Sequence, residues 1–122
     1  MYLIKYDSVH GRFEHDVEKT EGGIKVNGHF VRLFNERDPT KIGWGEAGAD
    51  TIAECTGAFL TKEKAGLHFQ GGAKKAVMSA PAKDDSPMFV MGVNNEKYRS
   101  DMNVVSNASC TTNGLAPIAK VL

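Results

Sequence analysis

Short apolar runs broken by glycines and polar pairs fill the first third of the chain. Residues 1–6 form an apolar stub, and Asp7-Ser8-Val9-His10-Gly11 has the composition of a loop. Residues 13–34 then read as strands and turns. Gly22-Gly23 breaks one run, and Asn27-Gly28 separates Ile24-Lys25-Val26 from Phe30-Val31-Arg32-Leu33-Phe34. Asn-Gly between β-branched and aromatic residues predicts a hairpin, because both central positions of its tight turn need positive φ. Two or three antiparallel strands are expected here.

After Asp38-Pro39 the pattern changes to apolar segments alternating with helical ones. Strands are expected over 51–55 and 76–80, with a helix over 61–69 between them. Thr61 offers a hydroxyl at the helix start, and Gly71-Gly72 closes its far end. Residues 89–93 and Val104-Val105 read as further strands. Nearly unbroken apolar strands alternating with a helix predict a parallel sheet of the α/β class. In 110–122, Leu115, Ile118, Ala119 and Leu122 recur at helical spacing. Pro117 means that this helix either bends or starts after Cys110.

Gly43-Trp44-Gly45-Glu46-Ala47-Gly48 spells G-x-G-x-x-G, the dinucleotide fingerprint. That fingerprint needs a strand before it and a helix after it, so that a pyrophosphate meets the helix N-terminus. Here Asp38-Pro39 precedes it and a strand follows. The stretch is read as a Gly-rich connection entering that strand.

Charge and cysteine content narrow the function classes. Fifteen basic residues balance fifteen acidic ones, which argues against electrostatic attraction of the whole chain to nucleic acid or an anionic membrane. The length and apolar content of 122 residues fit one small soluble domain. No run is long enough to span a bilayer, and the N-terminal stub is too short for a signal-peptide core, so a cytoplasmic location is expected. Cys55 and Cys110 stand far apart with no CxxC or Cys/His cluster, so neither a disulfide framework nor a metal site is expected.

Chemistry concentrates in Val104-Val105-Ser106-Asn107-Ala108-Ser109-Cys110-Thr111-Thr112-Asn113. A β-branched pair leads through small polar residues to a thiol at the start of a helix. The macrodipole and unpaired backbone N–H groups there favour thiolate, the nucleophilic form, and the same N–H groups suit an oxyanion. On the residues alone, a nucleophile and an inert structural cysteine are equally good readings.

The wording of the stretch breaks that tie. Ser-Asn-Ala-Ser-Cys-Thr-Thr-Asn, residues 106–113, resembles the active-site signature of phosphorylating glyceraldehyde-3-phosphate dehydrogenases. Lys5-Tyr6-Asp7-Ser8-Val9-His10-Gly11, Glu36-Arg37-Asp38-Pro39, Trp44-Gly45, Ala73-Lys74-Lys75 and Ser79-Ala80-Pro81 resemble that family in the same order. So do Phe89-Val90-Met91-Gly92-Val93-Asn94 and Leu115-Ala116-Pro117, and together they cover nearly the whole chain.

The resemblance implies an incomplete Rossmann-like doubly wound sheet with an antiparallel hairpin region. Residues 1–122 are then one partial NAD(P)-binding domain, without the first βαβ unit and without the downstream catalytic domain. It implies NAD, or NADP in some branches, as cofactor. Glyceraldehyde 3-phosphate and phosphate would be the substrates, and the parent a homotetramer. Cys110 would be the nucleophile that forms a thioester, with Ser109 and Thr111 contacting substrate. Arg37, Ser79, Thr56 and Gly57 would contact the cofactor.

The sequence also departs from the family pattern. Cys55 stands where a serine is usual, Gly114 replaces a second cysteine, and the loop 82–87 is one residue longer. The family's histidine base lies downstream of its cysteine, whereas His10, His15, His29 and His68 all lie upstream and are read as surface or loop residues. The isolated chain is therefore expected to bind cofactor weakly, to be marginally stable and to show no turnover. A truncated interaction or thiol-sensing module is the competing reading. Aspartate-semialdehyde dehydrogenase is a more distant enzyme alternative.

Overall fold

The computed structural model describes residues 1–122, which divide into two compact units, Met1–Asn35 and Glu36–Leu122. The first unit is built from turns. A short helix α1 (Tyr2–Lys5) leads into β1 (Tyr6–Asp7), which pairs antiparallel with β2 (Gly11–Arg12). Asp7 Oδ1 accepts from the amides of Val9 and His10 at 2.9 and 2.8 Å, which closes the connecting turn. β3 (Val17–Thr20), β4 (Gly23–Val26) and β5 (His29–Arg32) form an antiparallel meander. Asn27 and Gly28 join β4 to β5 with φ of 49° and 79°, as the Asn-Gly pair predicts.

The second unit carries the parallel sheet. β6 (Thr51–Glu54), β7 (Lys75–Met78) and β8 (Val104–Ser106) lie in the order β6-β7-β8. Register pairs Ile52 with Ala76 and Val104, and Glu54 with Met78 and Ser106. All six of these residues are buried and share one sheet face. Against that face the core gathers Ala65, Ala76, Met78 and Val104, with Phe69 and Ala82 packed on it. The opposite face, with Ala53, Val77 and Val105, lines a cavity of about 510 Å³ together with Ser79, Phe89 and Tyr98.

The β6–β7 crossover is α2 (Lys62–Ala65), which continues as a 3-10 helix over Gly66–Gly71. Thr61 caps α2, its Oγ1 accepting from Lys64 N at 3.2 Å, and Gly72 ends the segment at φ 100°. The Gly-rich stretch 43–48 follows a 3-10 turn over Pro39–Lys41 and is closed by its own backbone bonds, such as Ala47 N to Gly43 O at 3.1 Å. No strand precedes it within this unit, so the fingerprint spelling is a connection.

One element differs from expectation. Residues 89–93 are not a strand: only Met88 bridges Ser106, and the chain then turns. Asn94 causes this, its Oδ1 accepting from Val90 N at 2.8 Å and its Nδ2 donating to Met88 O at 3.0 Å, which replaces ladder bonds with local ones. The last helix, α3 (Cys110–Val121), starts at Cys110 and runs through Pro117. Pro117 has no amide hydrogen to bond Asn113 O, so the helix lacks one backbone bond there.

Gly72 lies against Gly45, where a Cβ would stand 2.8 Å from the Gly45 Cα and N. Gly72→Ala should therefore destabilise the chain by roughly 2–4 kcal/mol, from positive φ and from the clash together. Gly114→Ala, inside α3 with open space around it, should stabilise by about 1 kcal/mol. Urea unfolding of the two variants checks the opposite signs.

Candidate active site

Parallel register brings the C-terminal ends of β6, β7 and β8 to one edge, the edge at which open α/β sheets bind ligands. Thr56 and Gly57 follow β6, Ser79 follows β7, and Asn107 to Cys110 follow β8. Five of the expected residues, Cys110, Thr111, Thr56, Gly57 and Ser79, are exposed there, with Ser109 partly covered. Arg37 is also exposed, but it precedes the 3-10 turn at Pro39 and is carried by none of the three strand ends.

The turn from β8 to α3 is tightly bonded. Ser106, 1% exposed, donates through Oγ to Ala80 O at 2.6 Å and accepts from Ala108 N at 3.0 Å. Ala108 is thereby held at φ 59°, a conformation that non-glycine residues rarely adopt. Ser109 is the N-cap of α3, its Oγ accepting from Thr112 N at 2.9 Å. That hydroxyl also lies 3.0 Å from Thr111 Oγ1 and 2.6 Å from Thr112 Oγ1. Asn113 Nδ2 donates to Asn107 O at 2.7 Å and to Ser109 O at 2.8 Å, which ties the first helical turn to the strand end. Cys110 is the first helical residue, a free and exposed thiol. Its amide and that of Thr111 belong to the set that finds no partner inside a helix.

His68 corrects the reading that all four histidines are surface or loop residues. It is 5% exposed, on the 3-10 helix after α2, with its ring between Trp44 and Phe59. Its Nδ1 accepts from Trp44 Nε1 at 3.1 Å, and its Nε2 lies 2.8 Å from Glu54 Oε2. Glu54, 2% exposed, in turn accepts through Oε1 from Thr56 N at 2.8 Å and from Thr56 Oγ1. Both His68 ring nitrogens are thus engaged away from any thiol. Glu54 and His68 are the site-supporting residues that pattern reasoning missed, whereas Ser106 stood in the motif without an assigned role. A glutamate at a buried position of an apolar strand was the one available signal for them.

The comparisons with known proteins decide the family. The model of the glyceraldehyde 3-phosphate dehydrogenase NAD-binding domain matches residues 1–62, just over half of the chain. The chain belongs to that family. It is 60% identical over 121 residues to glyceraldehyde-3-phosphate dehydrogenases of Coccidioides posadasii and Aspergillus oryzae. It is 57% identical over 122 residues to glyceraldehyde-3-phosphate dehydrogenase 1 of Mucor circinelloides. In each case nearly all of this chain is covered, yet it spans only 36% of the relative's length. The family's α/β, Rossmann-like character agrees with the parallel sheet of the second unit. No helix is long and apolar enough to cross a membrane, and no cluster of three or more His, Cys, Asp or Glu side chains is placed to hold a metal ion.

Burial pushes the Glu54 carboxyl upward, but the hydrogen bonds from Thr56 and His68 outweigh it and hold the group below the ordinary carboxylate range. Its folded value lies under its unfolded one of about 4.3, so its stabilising contribution is complete above that pH. The contribution is lost as pH falls through the folded value. Urea unfolding between neutral and acid pH should show the wild-type chain losing stability over this window. Glu54→Gln should be less stable at neutral pH and have a shallower acid slope.

Proposed function

We propose that residues 1–122 supply part of the nucleotide-binding domain of an NAD-dependent, phosphorylating glyceraldehyde-3-phosphate dehydrogenase, with Cys110 as its nucleophile. The observation that carries this reading is the turn 106–113. It presents an exposed thiol as the first residue of a capped helix, at the sheet edge where Thr56, Gly57 and Ser79 also emerge.

The residues at that edge fit a dinucleotide. Gly57 stands at φ 74° with nothing within 4 Å of where a Cβ would be, so a ligand can approach its backbone closely. Thr56 lies beside Gly57 on the same loop, Ser79 adds a hydroxyl, and Arg37 adds a cation for the adenine end. When bound, NAD supplies the hydride acceptor.

The chain's own residues do the remaining work that lies within 1–122. Cys110 Sγ attacks the aldehyde carbon, and the oxyanion that develops lies within reach of the free amides of the first turn of α3. Loss of hydride from that carbon leaves a thioester on Sγ. Inorganic phosphate then attacks the acyl carbon, which expels the thiolate and yields 1,3-bisphosphoglycerate. Ser109 and Thr111 flank the reacting carbon in this reading. Ser109 also orients Cys110 by capping α3, and Asn113 locks the cap to β8.

His68 is not available as a general base to Cys110, because its two ring nitrogens are engaged by Trp44 and Glu54. The whole enzyme is read as a cytoplasmic homotetramer, as in the family the chain belongs to.

A chimera tests the assignment. Residues 1–122 replacing the matching segment of the Aspergillus oryzae enzyme should give NADH from glyceraldehyde 3-phosphate and phosphate. Cys110→Ser in that chimera should reduce turnover by at least on the order of 10³-fold. Retained turnover in the serine variant would defeat the nucleophile assignment. The 122-residue chain alone should produce no NADH, and an active chain would overturn that expectation.

A further inference from the structure

β6 ends on a buried charge that the catalytic scheme does not use. Three donors converge on the Glu54 carboxylate: Thr56 N and Thr56 Oγ1 on Oε1, and His68 Nε2 on Oε2. The direction of every link is fixed by chemistry. The Trp44 indole can only donate, so His68 Nδ1 must accept, and the single proton of the neutral ring sits on Nε2 and points at Glu54. The Thr56 hydroxyl spends its proton on Glu54 and turns a lone pair to Ala58 N at 3.1 Å. The result is a polarised chain from Trp44 through His68 to Glu54, met from the other side by Ala58 and Thr56.

We infer that Glu54 is a positioning residue, holding the Thr56–Gly57 loop in the shape that receives the nucleotide through this chain of fixed polarity. The loop's meeting the nucleotide rests on the proposed function. The holding itself rests on the bonds. The loop after β6 leaves the sheet ladder at Glu54, and it carries exposed residues from Cys55 to Ala58. Without the carboxylate, Thr56 N loses its partner in this network and Thr56 Oγ1 keeps only the Ala58 amide. A neutral amide cannot replace it. An amide nitrogen facing His68 sets donor against donor unless the ring moves its proton to Nδ1, where the Trp44 N–H already points. An amide nitrogen facing Thr56 meets the Thr56 N–H instead. An aspartate keeps the charge but is one methylene too short to reach both partners.

Exchange and 15N shifts are read on the 122-residue chain, and NAD affinity in the Aspergillus oryzae chimera, where the rest of the nucleotide-binding domain is present. In the wild type, 15N shifts of the His68 ring should show the proton on Nε2 and an accepting Nδ1. Glu54→Gln should raise amide exchange at Thr56 and Ala58 by about ten-fold relative to Val77 and Val105, and should raise the NAD dissociation constant by about the same factor. Thr56→Val serves if the first variant does not fold. It should speed Ala58 exchange and weaken NAD binding while leaving the His68 signature unchanged. Exchange at Thr56 and Ala58 unaltered in both variants overturns the inference, as does a uniform rise across β6, β7 and β8. A loosened loop with unchanged NAD affinity overturns the nucleotide role. If the chimera binds no NAD, the proposed function fails, while the exchange and 15N readings still decide whether Glu54 holds the loop.

Discussion

The backbone of β7 bonds on both sides, to β6 through the register Ile52–Ala76 and Glu54–Met78, and to β8 through Ala76–Val104 and Met78–Ser106. Ala76 and Met78 are fully buried, so neither strand can slip by one residue without turning core side chains to the other face. Parallel direction then leaves no freedom over where the loops emerge. The chain after each strand must leave at the same edge, and every residue with a proposed chemical role except Arg37 sits in one of those three exits.

Leaving a ladder exposes backbone donors and acceptors that something else must satisfy. At each exit a short polar side chain does this. Glu54 and Thr56 serve the loop after β6, Ser106 serves Ala80 and Ala108, and Ser109 with Asn113 serves the start of α3. The hydroxyls and amides around Cys110 are therefore first of all backbone partners. They make the turn rigid enough to keep a thiol at the helix end, and rigidity at such a turn is what orientation of a reacting carbon demands. The same holds for His68, whose two ring nitrogens are committed to fastening Trp44 and Glu54.

Much of this was legible because its cause is local. Asn27-Gly28 specifies its turn through the φ values that those two residues tolerate, and Thr61 caps its helix from one residue away. The Gly43–Gly48 spelling could be set aside on the order of its neighbours alone. The sequence 106–113 displayed the nucleophile's turn in full. What escaped depends on distance along the chain. Glu54 and His68 are 14 residues apart and Trp44 and His68 are 24 apart, so no periodicity could reveal their contact. Residues 89–93 look like a strand by hydrophobicity, but Asn94 draws their backbone into a turn.

By itself, then, the sequence determined the hairpins, the α/β alternation, the family and the cysteine at the head of the last helix, because each follows from neighbouring residues or from a contiguous motif. Tertiary structure alone decided which strands pair, which sheet face is buried and which polar groups meet inside. Those outcomes depend on apolar surfaces and hydrogen-bonding groups far apart in the chain being satisfied at the same time, and no local preference encodes that.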